Sequence, residues 1–271
     1  TGTRVVDIPG RWVHHVWELI TQLGPQLRED IEALGPHLSC SMPEGAIVIG
    51  GDQLFVESGA HVEPQVVFDV TSGPVLVRRG AHVRAFTRLV GPCAVLENAN
   101  VLGDRVSGCS IGEWSVIRGE ISETIVLAYS NKGHEGFVGH SYLGRWVNLG
   151  AGTITSNLKN TYGSVQLWTP NGIQDTRANK LGTLLGDHAK TGIGTRLTTG
   201  TVVGAGANVF GSGMPPKYVP PFSWLDGQQV TEFRLPKFLD IASRVMSRRS
   251  VALSERARRQ LSASHAKSRS A

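Results

Sequence analysis

Histidines and cysteines are the residues of this chain whose types could support acid–base, nucleophilic or metal chemistry. His134 follows a glycine in the stretch SNKGHEGFVGHSYLGRWVNLGAGTITSNL, residues 130–158. The second half of this stretch repeats every six residues and the first half does not. An imidazole titrates near neutrality, which suits proton transfer. His134 is therefore either a working residue or only a polar side chain on a turn.

The remaining candidates give no metal pattern. Cys40, Cys93 and Cys109 are an odd number of cysteines without metal-type spacing, so we expect reduced thiols in a cytoplasmic protein.

No apolar run reaches membrane-spanning length, and no signal segment opens the sequence. The chain begins at Thr1 rather than methionine, which leaves open an upstream domain and a fragment of a longer enzyme.

The elements that must hold these residues in place are predicted by a six-residue repeat of apolar side chains. Aliphatic or small residues recur at this spacing from about residue 45, which predicts a hexapeptide parallel β-helix of left-handed twist, an all-β fold. Each aliphatic residue would point inward, and roughly 150 residues at about 18 per coil give on the order of eight turns. The series is Val56, Val62, Phe68, Val77, Val83, Leu89, Val95, Val101, Ile111, Ile117, Phe137, Leu143, Leu149, Thr155, Leu185, Thr191, Leu197, Val203 and Val209.

The sequence divides into three predicted segments: the six-residue repeat and the regions before and after it. Residues 1–44 predict a helical connector, with helical spacing of apolar residues from Trp12, a break at Gly24-Pro25 and a further helix to Leu34. Residues 45–214 predict the β-helix, with a short irregularity over 102–110 and an inserted loop over 158–180. Residues 215–271 predict a proline-rich extension that leaves the coil, followed by a basic amphipathic helix and tail that caps the open end.

The net charge of +5 is unevenly distributed. Residues 231–271 carry ten Lys or Arg against three Asp or Glu, an excess of seven, so the rest of the chain has a net charge of −2. A basic Ser/Arg/Ala tail is typical of a solvated helix, and we do not predict nucleic-acid binding. An acidic partner for the tail is the alternative.

Two stretches, GHEGFVGHSYLGRWVNLGAGTITSNL and ANKLGTLLGDHAKTGI, resemble the acetyltransferase half of bifunctional GlmU proteins. These are glucosamine-1-phosphate N-acetyltransferases and UDP-N-acetylglucosamine pyrophosphorylases. YSNKGHEGF, NLKNTYG and PPKYVPPFSW are similar to a GlmU-like branch of sugar nucleotidyltransferases. The resemblance runs from Arg4 to Trp224. The family's Gly-rich nucleotidyltransferase domain has no counterpart, so this chain alone should not transfer nucleotides.

The resemblance implies roles for individual residues. His134 corresponds to the catalytic base. Asn148 and Asn157, which flank GAGTIT, correspond to asparagines that contact the sugar phosphate and neighbouring groups. Lys180 corresponds to a lysine that binds the substrate phosphate. Asparagines also form internal ladders in β-helices, and Lys180 could be an ordinary exposed lysine.

Two positions depart from the family. A family tyrosine is Phe137 here, and a family lysine is Ser122; both normally hold the sugar phosphate. Arg118 and Arg105 lie close enough along the coil to replace that charge. The departures leave open a different amino-sugar phosphate or a weakened site.

The resulting hypothesis is a sugar-phosphate N-acetyltransferase that acts on glucosamine-1-phosphate or a related amino-sugar phosphate. The resemblance implies acetyl-CoA as co-substrate, contacting the backbone at Ala151 and Gly152, and a homotrimer. The alternative is a non-catalytic trimerisation or regulatory β-helix. A three-histidine zinc site like that of the γ-type carbonic anhydrases is disfavoured, because His134 and His140 are six residues apart and His188 has no evident partner.

Overall fold

The computed structural model describes residues 5–8 and 10–269. Thr1, and the start of the resemblance at Arg4, lie outside these residues. The helices in the described part are α1 (Glu18–Thr21), α2 (Leu23–Leu34), a 3₁₀ turn (Gly35–His37), α3 (Leu235–Ser247) and α4 (Glu255–Arg269). The strands are β1 (Ile47–Ile49), β2 (Leu54–Val56), β3 (His61–Val62), β4 (Val67–Asp69), β5 (Val75–Val77), β6 (His82–Val83), β7 (Thr87–Val90), β8 (Cys93–Val95), β9 (Asn100–Val101), β10 (Asp104–Ser107), β11 (Ser110–Ile111), β12 (Val116–Ile117), β13 (Ile121–Ser122), β14 (Ile125–Val126), β15 (Asn131–Lys132), β16 (Val138–Gly139), β17 (Tyr142–Leu143), β18 (Asn148–Leu149), β19 (Ile154–Thr155), β20 (Gln166–Thr169), β21 (Gly172–Asp175), β22 (Thr183–Leu185), β23 (Lys190–Thr191), β24 (Arg196–Leu197), β25 (Thr201–Val203), β26 (Asn208–Phe210), β27 (Tyr218–Val219), β28 (Ser223–Asp226) and β29 (Gln229–Glu232).

Successive strands pass in rotation to three parallel sheets, which confirms the predicted β-helix with flanking helices. Face I contains β1, β4, β7, β10, β13 and β16, and the pair β19–β24 lies further along it. Face II runs through β2, β5, β8, β11, β14, β17, β22, β25 and β27. Face III runs through β3, β6, β9, β12, β15, β18, β23, β26 and β28, with β29 antiparallel at its end. The coil therefore has three corners, III→I, I→II and II→III.

The core is the interior of this coil. One side chain from each short strand points inward and stacks on its counterparts in the coils above and below, since every turn can bury its apolar residue only there. Ile111, Leu143 and Leu185 form part of the stack behind face II, and each is 1% exposed or less. Most members of the predicted series are buried in this way.

Faces II and III are covered by other elements. α2 packs Leu27 and Ile31 on face II, and the β20–β21 hairpin of the inserted segment packs there with α1. α3 packs Phe238 against Phe222 at the II→III corner. Face I has no such cover among the described residues. Its edge exposes large apolar side chains at Ile47, Ile49, Phe86, Ile154 and Ile193.

The N-terminal helices begin later than predicted. Trp12 is 77% exposed and lies before the first helix, which starts only at Glu18. The interruption falls at Gln22, and Gly24-Pro25 lies in the first turn of α2 rather than breaking it. A proline in the first helical turn loses no intrahelical hydrogen bond, so the chain tolerates it there.

The coil also differs from the prediction at two places. Residues 102–110 are not a break, because β10 lies there and buries Val106. The proline-rich segment does not leave the coil at residue 214: β27 pairs in parallel with β25, and β28 with β26. Pro220 and Pro221 fall at a corner, where the missing N–H removes no ladder bond. Within the described residues, faces II and III therefore each stack nine parallel strands, one more turn than the eight expected.

Cys93 and Cys109 are buried in the core, and burial raises the pKa of the Cys93 thiol to about 12.

Among the described residues, the helices are too short or too polar to cross a bilayer.

Replacing Ile111 by alanine should lower the free energy of unfolding by about 2–5 kcal/mol, because the inner stack cannot collapse around the cavity. The matched control is Ile173→Ala on the hairpin, where the side chain is 71% exposed and we expect a change within about 0.5 kcal/mol. Urea denaturation of both variants measures the difference. Equal costs would contradict the inward stack at Ile111.

Candidate active site

His134 lies in an exposed turn, residues 133–137, at the III→I corner. This turn stacks directly on the next one, residues 150–153, which contains Ala151 and Gly152. Gly136 has a φ of 125°, and a Cβ there would lie 2.4 Å from the backbone oxygen of Thr153. Only glycine permits so close an approach. The structure thus brings His134 next to the segment that the resemblance assigns to acetyl-CoA.

The backbone of the 150–153 turn leaves two donors unused. Thr153 donates to Gly150 and the Ala151 carbonyl accepts from Gly194, but the N–H groups of Ala151 and Gly152 donate to no other described residue. Adjacent free N–H groups in a turn can stabilise a developing negative charge on oxygen.

Arg118 lies on the preceding turn of the same corner. Its guanidinium is 3.1 Å from Glu135 and 3.5 Å from Asp104, so two carboxylates share its charge. Arg105 is held more loosely, 3.8 Å from Glu120. Arg118, whose predicted role is substrate binding, therefore contacts the His134 turn through Glu135 and is already paired with two carboxylates.

An open cavity of about 710 Å³ lies beside this corner. Its lining is Phe86, Arg88, Asp104, Arg105, Gly119, Glu120, Glu135, Gly136 and Phe137. The assignment of Phe137 to the inward series is wrong: Val138 pairs with Ile121 and is buried, whereas Phe137 is half-buried and lines the cavity. The outward position is the one that a substrate-contacting residue needs.

Asn157 and Lys180 lie at the next corner, I→II. Asn157 Nδ2 is 2.9 Å from Nδ1 of His140, and His140 Nε2 is 3.8 Å from Glu123. Burial lowers the pKa of His140, Glu123 opposes this, and Lys180 lowers the pKa further. His140 was not among the predicted site residues, although it also follows a glycine. The corner therefore combines one imidazole, one amide, one carboxylate and one ammonium group.

Face I connects the two corners. A Cβ on Gly139 would lie 2.4 Å from the Phe137 ring and 2.8 Å from Asn157 Nδ2, so both side chains cover this glycine. A ligand that reaches from His134 to Lys180 would run along Phe137 and Asn157. Asn148 is not part of this strip. It lies on the outer side of face III, where its Oδ1 accepts from Asn131 Nδ2 at 3.1 Å.

Lys132 is the residue that sequence reasoning missed. It pairs with Ile117 at an inward position of face III and is only 1% exposed. Its Nζ donates to the carbonyls of Arg118 and Glu135 at 3.2 and 3.1 Å, and also to that of His134. A lysine six residues after Val126 and six before Val138, where an aliphatic residue belongs, was the available signal.

The buried ammonium fixes the turn that carries His134. Two of its three acceptors belong to residues 133–137, and the third belongs to the turn below. Burial lowers the pKa of Lys132 to about 8, and the nearby Glu135 and Asp104 carboxylates oppose this. Lys132 is therefore a positioning residue, since it does not face the cavity.

The three histidines do not converge on one metal. His134 lies at the III→I corner, His140 at the I→II corner and His188 at the II→III corner, where it is buried. Within the described ranges, no group of three His, Cys, Asp or Glu residues is arranged to hold a metal ion.

Known proteins with similar sequences carry the GlmU name. The chain is 29% identical over 204 residues to the bifunctional protein GlmU of Desulfitobacterium hafniense, an alignment that covers 64% of this chain and 40% of that protein. It is 30% identical over 172 residues to GlmU of Buchnera aphidicola, covering 61% and 33%. It is 26% identical over 169 residues to a bifunctional sugar-1-phosphate nucleotidylyltransferase/acetyltransferase of Sulfurisphaera tokodaii, covering 58% and 39%. The predicted resemblance is confirmed.

The matches cover only part of each relative. The aligned part of the chain spans two fifths or less of the length of these relatives. No protein-family model matches the chain. Among solved structures, Arabidopsis UDP-N-acetylglucosamine acyltransferase aligns with 74% of this chain and 77% of its own, at a TM-score of 0.43 and 11% identity.

Replacing Lys132 by methionine should remove a pH dependence of stability. The folded pKa of about 8 lies below the ordinary 10.5, so the folded protein releases this proton while the unfolded chain retains it. The free energy of unfolding should therefore rise from pH 8 toward 10.5, by on the order of 1–3 kcal/mol, and Lys132→Met should lack this component. Urea denaturation across this range tests it.

The control for that experiment is Lys267→Met, an exposed lysine on α4. Lys267→Met should retain the wild-type pH dependence. Lys132→Met should also speed amide hydrogen exchange in residues 133–137, because two carbonyls of the turn lose their donor. A variant with the wild-type pH dependence and unchanged exchange would exclude the ammonium as the group that holds this turn.

Proposed function

We propose that this chain is an acetyl-CoA-dependent N-acetyltransferase that acts on glucosamine-1-phosphate or a related amino-sugar phosphate. The observation that carries the proposal is the stacking of the His134 turn on the Ala151–Gly152 turn, with Gly136 against Thr153. The similar proteins include one named as a bifunctional sugar-1-phosphate nucleotidylyltransferase/acetyltransferase, which supports acetyl transfer to a sugar phosphate.

The geometry suggests how each step proceeds. The sugar ammonium first loses one proton to solvent, and the His134 imidazole takes a second proton from the nitrogen as the amine attacks the thioester carbonyl carbon. The carbonyl oxygen gains negative charge, which the free N–H groups of Ala151 and Gly152 stabilise. The C–S bond then breaks as the amide forms, and the thiolate leaves with a proton returned through the imidazole. Alignment of the two substrates by face I supplies the remaining acceleration.

We assign the phosphate end of the acceptor to Lys180 and Asn157. They lie across face I from His134, beyond the Phe137 ring. The Lys180 ammonium has no ion pair among the described residues, and its side chain is exposed. Phe137 contributes an apolar wall there and no hydroxyl, so binding of the phosphate depends chiefly on Lys180.

A non-catalytic scaffold remains the second candidate, because Arg118 is engaged by Glu135 and Asp104 rather than free for phosphate. Binding of acetyl-CoA separates the two. An active transferase must bind it, whereas a scaffold for a nucleotidyltransferase domain has no such requirement.

His134→Ala should lower kcat/KM for acetyl transfer by at least about 100-fold, because it removes the proton acceptor. The assay measures thiol release from acetyl-CoA with glucosamine-1-phosphate, galactosamine-1-phosphate and other amino-sugar phosphates. His61→Ala, at an exposed position on β3 far along the coil, is the matched control and should be unaffected. No thiol release by the wild type with any acceptor would reject the enzyme. An active His134→Ala together with an inactive His140→Ala would move the base to the I→II corner.

We further propose a homotrimer assembled through the uncovered edge of face I. Native mass spectrometry should give about 87 kDa, three times the 29.1 kDa of one chain. Phe86→Glu with Ile193→Glu, at positions that are 77% and 82% exposed in the single chain, should dissociate it, because apolar patches of this kind mark contact surfaces. Ile173→Glu on the hairpin should leave the mass unchanged. A monomeric wild type would refute the trimer.

A further inference from the structure

A second cavity, of about 440 Å³, lies between face III and the C-terminal end of α3. Its lining is Tyr129, Asn131, Trp146, Val147, Asn148, Lys190, Val245, Arg248 and Arg249. The cavity does not include His134, Phe137 or Lys180, so it is separate from the site on face I. We call it the α3 cavity.

The α3 cavity is lined by cations and by no carboxylate. Lys190, Arg248 and Arg249 form no ion pair with any described residue. Other arginines of the same region are paired: Arg244 with Asp240, and Arg258 with Glu255. Arginines at a helix C-terminus are ordinary, since they complement the helix dipole. That explanation does not extend to Lys190, which comes from a strand of the coil.

Lys190 makes the strongest case for a missing anion. Its Nζ donates to the carbonyl of His188 at 3.1 Å and to no other described group. Burial lowers the pKa of Lys190 to about 8, and no carboxylate offsets this. Keeping the Lys190 ammonium charged in a partly buried position without a carboxylate is unfavourable unless an anion binds beside it.

The neutral walls suit a small polar ligand. Tyr129 and Trp146 stack on each other with ring centroids 4.2 Å apart and give the cavity a rigid aromatic side. On the other side, Asn148 accepts from Asn131 and keeps its own amide N–H groups available to a ligand. Arginine, lysine and amide donors that converge from two elements match the oxygens of a phosphoryl group.

We propose that the α3 cavity binds the phosphoryl or diphosphoryl group of a small molecule, through Lys190, Arg248 and Arg249. Two sources share this chemistry: a sugar phosphate and the phosphates of coenzyme A or another nucleotide. The inference does not depend on the proposed acetyl transfer, because none of its charged residues takes part in that reaction.

Isothermal titration calorimetry on the full chain tests the proposal, first with inorganic pyrophosphate. Saturable binding is expected, weakened at least about tenfold in Lys190→Met and in Arg248→Gln/Arg249→Gln, since each removes charge-assisted hydrogen bonds. The second variant changes residues at the end of a helix, where folding is not at risk. Arg244→Gln, on the same helix and outside the cavity, should bind as the wild type does.

Four further measurements complete the experiment. Glucosamine-1-phosphate and coenzyme A identify the source: whichever binds more tightly and loses affinity in Lys190→Met is the class of ligand accepted. Glucosamine, which lacks phosphate, should not bind at this cavity. His134→Ala should bind pyrophosphate normally, so a failed acetyl-transfer assay leaves this result interpretable. Absence of binding by every phosphorylated compound, or binding indifferent to both cavity variants, would overturn the proposal.

Discussion

The Lys132 ammonium group lies where the coils on either side place Ile117 and Leu149, and the shape of the candidate site depends on it. In the turn below Lys132, the inward residues on either side of the III→I corner, Ile117 and Ile121, are four positions apart. In the turn that begins at Lys132, the next inward residue is Val138, six positions on. A longer turn stacked on a shorter one leaves backbone carbonyls that have no partner in the ladder. An apolar side chain would leave them unsatisfied at a cost of about 1–3 kcal/mol each, whereas one ammonium reaches three of them.

This constraint separates the roles of the three corners. The II→III corner carries an aromatic column in which Tyr129 stacks on Trp146. At the end of this column, Phe238 of α3 packs against His188 of the coil. The I→II corner carries the inserted segment and the His140–Asn157 pair. Among the residues that the structure describes, only the III→I corner combines an exposed imidazole with a turn whose N–H groups donate to no other group. The strands that precede the two turns, β15 and β18, are each bonded to two neighbours, which keeps these groups in register.

The sequence predicts the scaffold well and the site only partly. Inward aliphatic residues at a period of six are required wherever a coil closes on itself, so the core could be read directly. The step from Val138 to Leu143 is five residues rather than six, so counting back six from Leu143 gives Phe137 instead of the buried Val138. Pro220 and Pro221 predict an exit from the coil, but they lie at a corner, where a proline removes no ladder hydrogen bond.

The charged and polar interactions were harder to predict because they depend on contacts between coils. Nothing in the local sequence shows that Lys132 reaches the carbonyl of Arg118, fourteen residues earlier. The same holds for Arg118, whose pairing with Glu135 and Asp104 follows from stacked turns rather than from a motif.

Under the proposed function, acyl transfer takes place where the turns of residues 133–137 and 150–153 meet. A crystal structure of the protein with bound coenzyme A tests this most directly. We expect the thiol sulfur to lie beside the Ala151–Gly152 backbone, near enough to His134 for an attacking amine to contact both, at reacting distances of about 3–3.5 Å. A sulfur bound at the I→II corner beside His140, or on another face of the coil, would contradict it.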